Sequence, residues 1–168
     1  MQSGAESAAG DQTILRVVDL LAPERVKVPL EGLDKESILA ELVDLATQSA
    51  GLAARRDEIH QAVWEREEVL STGIGDGIAL PHAKIGGLDT VAVAAGVSRG
   101  PVEFGALDAE PVRLLFLVLG PETAADVQVR LLSRISRLLS GESLRQRLVS
   151  AEDARRFCEI LREAESAI

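Results

Sequence analysis

The sequence predicts an α/β fold, with helices on both faces of one sheet. Three observations carry that prediction. Two runs, 91–97 and 112–119, are about the length of a strand and too apolar to have a solvated face. The segments around them repeat apolar residues at spacings of three and four, the mark of helices with one buried face. Helical and strand patterns therefore alternate along the chain, as they do when helices pack against a central sheet. Strand order does not follow from this pattern.

In chain order, apolar residues from Ile14 to Leu21 predict a short helix that Pro23 ends, before the alternating Val26, Val28 and Leu30 of a strand. Asp34 is placed to cap a helix whose buried face is Ile38, Leu42, Leu45 and Ala46, and Gly51 stops it. A further helix over 55–67 buries Ile59, Ala62 and Val63; a step of seven from Ile59 lands on Arg66, so a guanidinium ends the stripe. Residues 71–84 hold three glycines within five positions and then Pro81-His82, which reads as a loop leading into a short extended segment. Between the two apolar runs, Val102, Phe104 and the turn 105–108 suggest an edge strand or loop. Thr123 and Asp126 resemble a capping box for a long helix burying Leu131, Leu132, Ile135, Leu138 and Leu139, with Gly141 at its end. A last helix opening at Ser150, with Asp153 three residues on, buries Ala154, Phe157, Cys158 and Leu161.

Composition narrows the function. The 168 residues amount to one domain, with residues 1–11 a small, polar tail and the domain running over 12–168. The formal charge is 18 − 27 = −9, no Lys/Arg run makes a phosphate-tracking stripe, and three Phe, one Trp and no Tyr leave few platforms for base stacking. Nucleic acid is not the expected partner. One cysteine cannot form an internal disulfide, and no apolar run reaches the roughly 18 residues that span a bilayer, so a cytoplasmic location without membrane insertion is expected.

Of the two histidines, His60 lies mid-helix and belongs to no motif, whereas His82 follows the glycine-rich loop and a proline. Gly73, Gly75 and Gly77 can turn backbone N–H groups toward an anion beside the imidazole. An imidazole is partly neutral at cellular pH, and its free nitrogen is a nucleophile toward phosphorus once an acceptor fixes the other nitrogen. A metal site from His60, His82 and a carboxylate lacks ligand spacing. Cys158 reads as a small core residue.

The run Ser71-Thr72-Gly73-Ile74-Gly75-Asp76-Gly77-Ile78-Ala79-Leu80-Pro81-His82 resembles the phosphorylation-site signature of the fructose/mannitol-type enzyme IIA family of the bacterial sugar phosphotransferase system, which includes nitrogen-regulatory members. Similarity continues in 65–67, 102–108, 111–112, 115–117 and 120–122, and covers roughly residues 12–165. The resemblance implies a single-domain α/β sandwich with a mixed sheet between helices. It also implies a phosphoryl group taken onto His82 from the histidine phosphocarrier protein, with no cofactor and no metal. The phosphoryl group then passes to enzyme IIB or, in the alternative, its presence controls binding to a regulatory target protein. The family's arginine falls on Arg66, whose planar fork suits two phosphate oxygens. Ser71, Thr72, Gly73 and Gly75 are the expected phosphoryl-binding set. Many members carry a second histidine where this chain has Gln128. That residue continues the buried stripe three positions before Leu131, as an amide satisfied by backbone or as a neutral substitute that donates to a phosphoryl oxygen without a positive charge.

Overall fold

The computed structural model describes residues 15–49 and 51–168; the expected tail, 1–11, lies outside them. Its elements are α1 (Val17–Leu20), β1 (Val26–Leu30), α2 (Lys35–Ser49), α3 (Arg56–Val69), β2 (Gly73–Gly75), β3 (Ile78–Ala79), β4 (His82–Ile85), β5 (Ala92–Val102), β6 (Val112–Pro121), α4 (Ala125–Leu138), α5 (Glu142–Val149) and α6 (Ala154–Ser166).

The two apolar runs are the centre of a six-stranded mixed sheet. β5 and β6 pair antiparallel, with Ala95 opposite Phe116. β1 lies parallel to β5 on its other side, and β3 and β4 follow one another parallel to β6, where His82 stands opposite Val118. β2 closes the edge as the antiparallel partner of β3. Strand alternation sends Val93, Ala95, Val97, Phe116 and Val118 to a core with Leu131, Ile135, Phe157 and Leu161 of α4 and α6. The intervening Ala92, Ala94, Leu115, Leu117 and Leu119 face α2 and α3 through Leu39, Leu42, Ile59 and Val63. Burial on both faces is why these strands are apolar without alternation.

Several boundaries follow the predicted physics. Asp34 Oδ1 accepts from Ser37 N at 2.9 Å and so caps α2. At the other end Gly51 takes φ +72° and Leu52 N reaches Thr47 O at 2.7 Å, a Schellman-type closure. Others differ. α1 is a single turn, held because Val17 N and Val18 N donate to the buried Glu165 carboxylate, which also takes Arg134 Nε at 2.8 Å. The capping box at Thr123 does not form: Ala124 occupies the cap position of α4 without a side-chain bond, and Ala124 N bonds Pro121 O instead. Ser150 ends α5 rather than opening the last helix, and Asp153 is the cap of α6, its Oδ1 accepting from Arg156 N at 2.8 Å. α5 has no counterpart in the sequence reading, since Leu148 alone among its eight residues is fully buried and the periodic signal is correspondingly thin.

Candidate functional site

His82 is placed by three consecutive devices. α3 ends at Val69 and the chain turns extended at Leu70. β2 and β3 then form a hairpin whose corner, Asp76-Gly77, takes φ +58° and +76°, both in the left-handed region that a two-residue hairpin turn demands. Pro81 and β4 finally lay His82 along β6.

The imidazole is half-buried, and Nδ1 lies 2.9 Å from Leu80 O. A carbonyl only accepts, so Nδ1 carries the hydrogen. Burial lowers the pKa of His82, with the Leu80 carbonyl opposing, Arg66 lowering it further, Glu67 raising it and Lys84 lowering it. Burial thus favours the neutral ring, whose lone pair the Leu80 bond leaves on Nε2.

His82 opens onto a groove of about 690 Å³. Arg66, Ser71, Thr72 and Gly73 line it beside His82, and Leu132, Ser133 and Arg137 of α4 form the opposite wall. Its lining contains two guanidinium groups and no carboxylate, in a chain with net charge −9. Leu70, Ile74 and Leu107 stand at the rim, 62%, 39% and 85% exposed.

The structure brings five of the seven predicted site residues, Arg66, Ser71, Thr72, Gly73 and His82, to this groove. Gly75, at φ +102°, belongs to the hairpin and is not in the lining. Gly73 lines the groove for a packing reason: an added Cβ would stand 2.8 Å from Ala106 Cβ. Its N–H bonds Ser71 Oγ, and Thr72 N bonds Glu67, so these two amides face protein acceptors and not an open anion cradle. The hydroxyl hydrogens are also committed, Ser71 to Phe104 O at 2.6 Å and Thr72 to Glu67 Oε1 at 2.5 Å. Gln128 is 3% exposed and sits outside the lining, its Nε2 donating to Ala83 O at 2.8 Å. Gly120 gives it room, because a Cβ there would lie 2.9 Å from that nitrogen. The Gln128 amide is thus satisfied by backbone in the structure.

Arg66 lies half-buried at the end of α3 and donates to Leu70 O at 2.8 Å. The fully buried end of the stripe is Glu67, which the step of seven passed over; a step of four from Val63 reaches it. Thr72 and Lys35 satisfy its carboxylate inside, whereas the longer guanidinium reaches outward to the groove. His60 lines no part of the groove, and no cluster of metal-ligating side chains occurs among the described residues.

Residues 19–164 match the family described as the phosphoenolpyruvate-dependent sugar phosphotransferase system, EIIA 2. The chain belongs to this family. Among EIIA relatives, it is 34% identical over 89% of its length to the fructose-specific EIIABC component of Bacillus subtilis, of which it spans 23%. It is 32% identical to a nitrogen regulatory protein of Bradyrhizobium diazoefficiens, with 86% of this chain and 94% of that one covered. The crystal structure of nitrogen regulatory protein IIA-Ntr from Neisseria meningitidis superposes with a TM-score of 0.78 at 29% identity, covering 86% of this chain and 98% of the other. Its mixed sheet and flanking helices are thus those of an EIIA domain, and membership makes the chain a component of the phosphotransferase system. No helix among the described residues is long and apolar enough to cross a membrane.

Proposed function

We propose that this EIIA chain carries a phosphoryl group on Nε2 of His82. The observation that carries the reading is the Nδ1 to Leu80 O bond of 2.9 Å, which, in the neutral ring that burial favours, leaves the lone pair on the nitrogen not tied to the backbone. In the step proposed, that lone pair attacks phosphorus in line, and the N–P bond of an incoming phosphohistidine breaks. The electron pair returns to the donor's nitrogen. The proton stays on Nδ1, donated to Leu80 O, throughout, so no base is needed to free the nucleophile. A phosphoramidate on His82 keeps high transfer potential, and the reverse step delivers the group to an acceptor thiolate or imidazole.

Charge on the phosphoryl oxygens is met by Arg66, which spends one N–H on Leu70 O and keeps the rest of its five-donor fork. Catalysis of this kind is positioning and electrostatics, with little covalent machinery beyond the nucleophile. The donor is the histidine phosphocarrier protein, and the apolar rim of Leu70, Ile74 and Leu107 is a surface for a protein rather than a small molecule. Enzyme IIB is the acceptor; the Bacillus relative, named for EIIA, EIIB and EIIC together, supports this. Phosphoenolpyruvate, enzyme I and the phosphocarrier should place an acid-labile, base-stable phosphate on the protein, and His82→Ala should abolish it. A label retained in His82→Ala contradicts the assignment.

A second reading has its own support. The nitrogen regulatory relative is covered over 94% of its length, so a chain of this size serves as a regulatory module there. In that reading phosphorylation of His82 changes binding to a regulatory target. Capture of a partner by the unmodified form and its release by the phosphorylated form would favour it; equal capture by both would count against it.

A further inference from the structure

Glu67 is 3% exposed, and its carboxylate bonds Thr72 and Lys35, which lead to the two segments that shape the His82 groove. Its Oε2 accepts from Thr72 N at 2.9 Å and from Lys35 Nζ at 2.8 Å, and its Oε1 accepts from Thr72 Oγ1 at 2.5 Å. Lys35, from the first turn of α2, also donates to Phe104 O at 3.0 Å and stands 4.9 Å from the centroid of the Phe104 ring. Ser71 Oγ donates to that same carbonyl at 2.6 Å. One carboxylate and one ammonium thus join α2, α3, segment 71–73 and the loop after β5. Those last two segments supply Ser71, Thr72, Gly73 and Leu107 to the groove, and they touch again where Gly73 packs on Ala106.

A buried ion pair is an uneconomical way to hold a loop. The Glu67 charge leaves water and Lys35 keeps only 23% of its side chain exposed, and apolar residues of similar volume often hold a fold as well or better. What apolar residues cannot do is bond a main-chain N–H and a hydroxyl at once, which fixes both the backbone and the rotamer of Thr72.

We propose that Glu67, with Lys35, is a positioning residue for phosphoryl transfer: it fixes segment 71–73 and the 104–108 loop on either side of His82 in the geometry the transfer requires. The inference rests on His82 being the phosphoryl acceptor. It gives the Thr72 hydroxyl a structural partner, and it leaves the groove's free donors on Arg66 and α4.

The test uses the full chain with its phosphodonor protein and four variants. Glu67→Gln keeps the size and one acceptor but removes the charge; Lys35→Met removes its partner. Thr72→Val keeps the shape without the hydroxyl, and Thr72→Ser restores it. Glu67→Gln and Lys35→Met are expected to lower kcat about 10- to 100-fold with KM for the donor little changed, the size of effect a misplacement near 1 Å produces. Thr72→Val should lower kcat and Thr72→Ser should restore it. The His82 titration midpoint should move down in Glu67→Gln. A folded Glu67→Gln variant with parental kcat, or one impaired only in KM, overturns the inference. If Glu67→Gln does not fold, the threonine pair decides: Thr72→Val at the parental rate overturns it, and loss in Val with recovery in Ser supports it. Should the parent chain take no label on His82, the functional reading itself falls; parental labelling with unaffected variants removes this inference alone.

Discussion

The fold changes the chemistry of His82. Burial, aided by Arg66, holds its pKa below the ordinary value of about 6.5, so the folded state prefers the neutral ring. A depressed folded pKa has a definite consequence for stability. Above about pH 6.5 the ring is neutral folded or unfolded and contributes no pH dependence; as pH falls below that value the unfolded chain binds the proton first, and stability declines until the folded pKa is passed. An NMR titration should place the His82 midpoint below 6.5 in the parent and higher in Arg66→Gln; a parental midpoint at or above 6.5 contradicts the account. Gly73 makes a second prediction at this scale. Gly73→Ala forces a methyl to 2.8 Å from Ala106 Cβ, and both loops are pinned, so melting temperature and His82 labelling should fall together. That His82 and the 71–73 segment would meet was legible from the sequence because one contiguous signature holds them, and Arg66 because it ends a helical stripe just before that loop. Glu67 was not, because its role depends on Lys35, 32 positions earlier, and no local pattern announces that partner.

At the scale of elements, the sequence was read well wherever a cap or a stop acts through its own neighbours. Asp34 and Gly51 bound α2 by bonds that span three to five residues, and both were expected. Thr123 and Ser150 misled for the complementary reason: each has the composition of a start, but backbone bonds at Pro121 and the end of α5 take the position first. Asp153→Ala should cost about 1 kcal/mol in chemical denaturation, the usual worth of a helix cap, while Ser150→Ala should cost little. Gln128 illustrates the same limit on inference from a position. Where a second histidine would sit, the structure has an amide stitching α4 to β4 through Ala83 O. Gln128→Leu should therefore lower stability by about 0.5–1.5 kcal/mol, the usual net worth of one intramolecular hydrogen bond, and leave kcat for labelling near the parental value. A variant of full stability and poor transfer would instead return Gln128 to the chemistry.

The whole molecule is a sheet buried on both sides, and its organisation explains how His82 still reaches a groove. α4 and α6 cover one surface through Leu131, Ile135 and Phe157; α2 and α3 cover the other through Leu39, Leu42 and Ile59. β4 continues beside β6 past the short β3, and His82 begins it at the groove between the end of α3 and α4. The α/β class and the two central strands were plain in the sequence, since burial on both faces removes polar residues from 91–97 and 112–119. Strand order was not, because pairing of β1 with β5 and of β4 with β6 is decided by contacts the local pattern does not encode. Leu117→Ala, at a fully buried position on β6, should cost about 2–5 kcal/mol in unfolding free energy and reduce labelling only through the folded fraction. The central claim concerns one atom, and nitrogen-resolved NMR of the phosphorylated, isotope-labelled chain addresses it directly. The phosphorus coupling should appear on Nε2 of His82, with Nδ1 still bearing its proton; coupling to Nδ1, or to any other residue, would contradict the account.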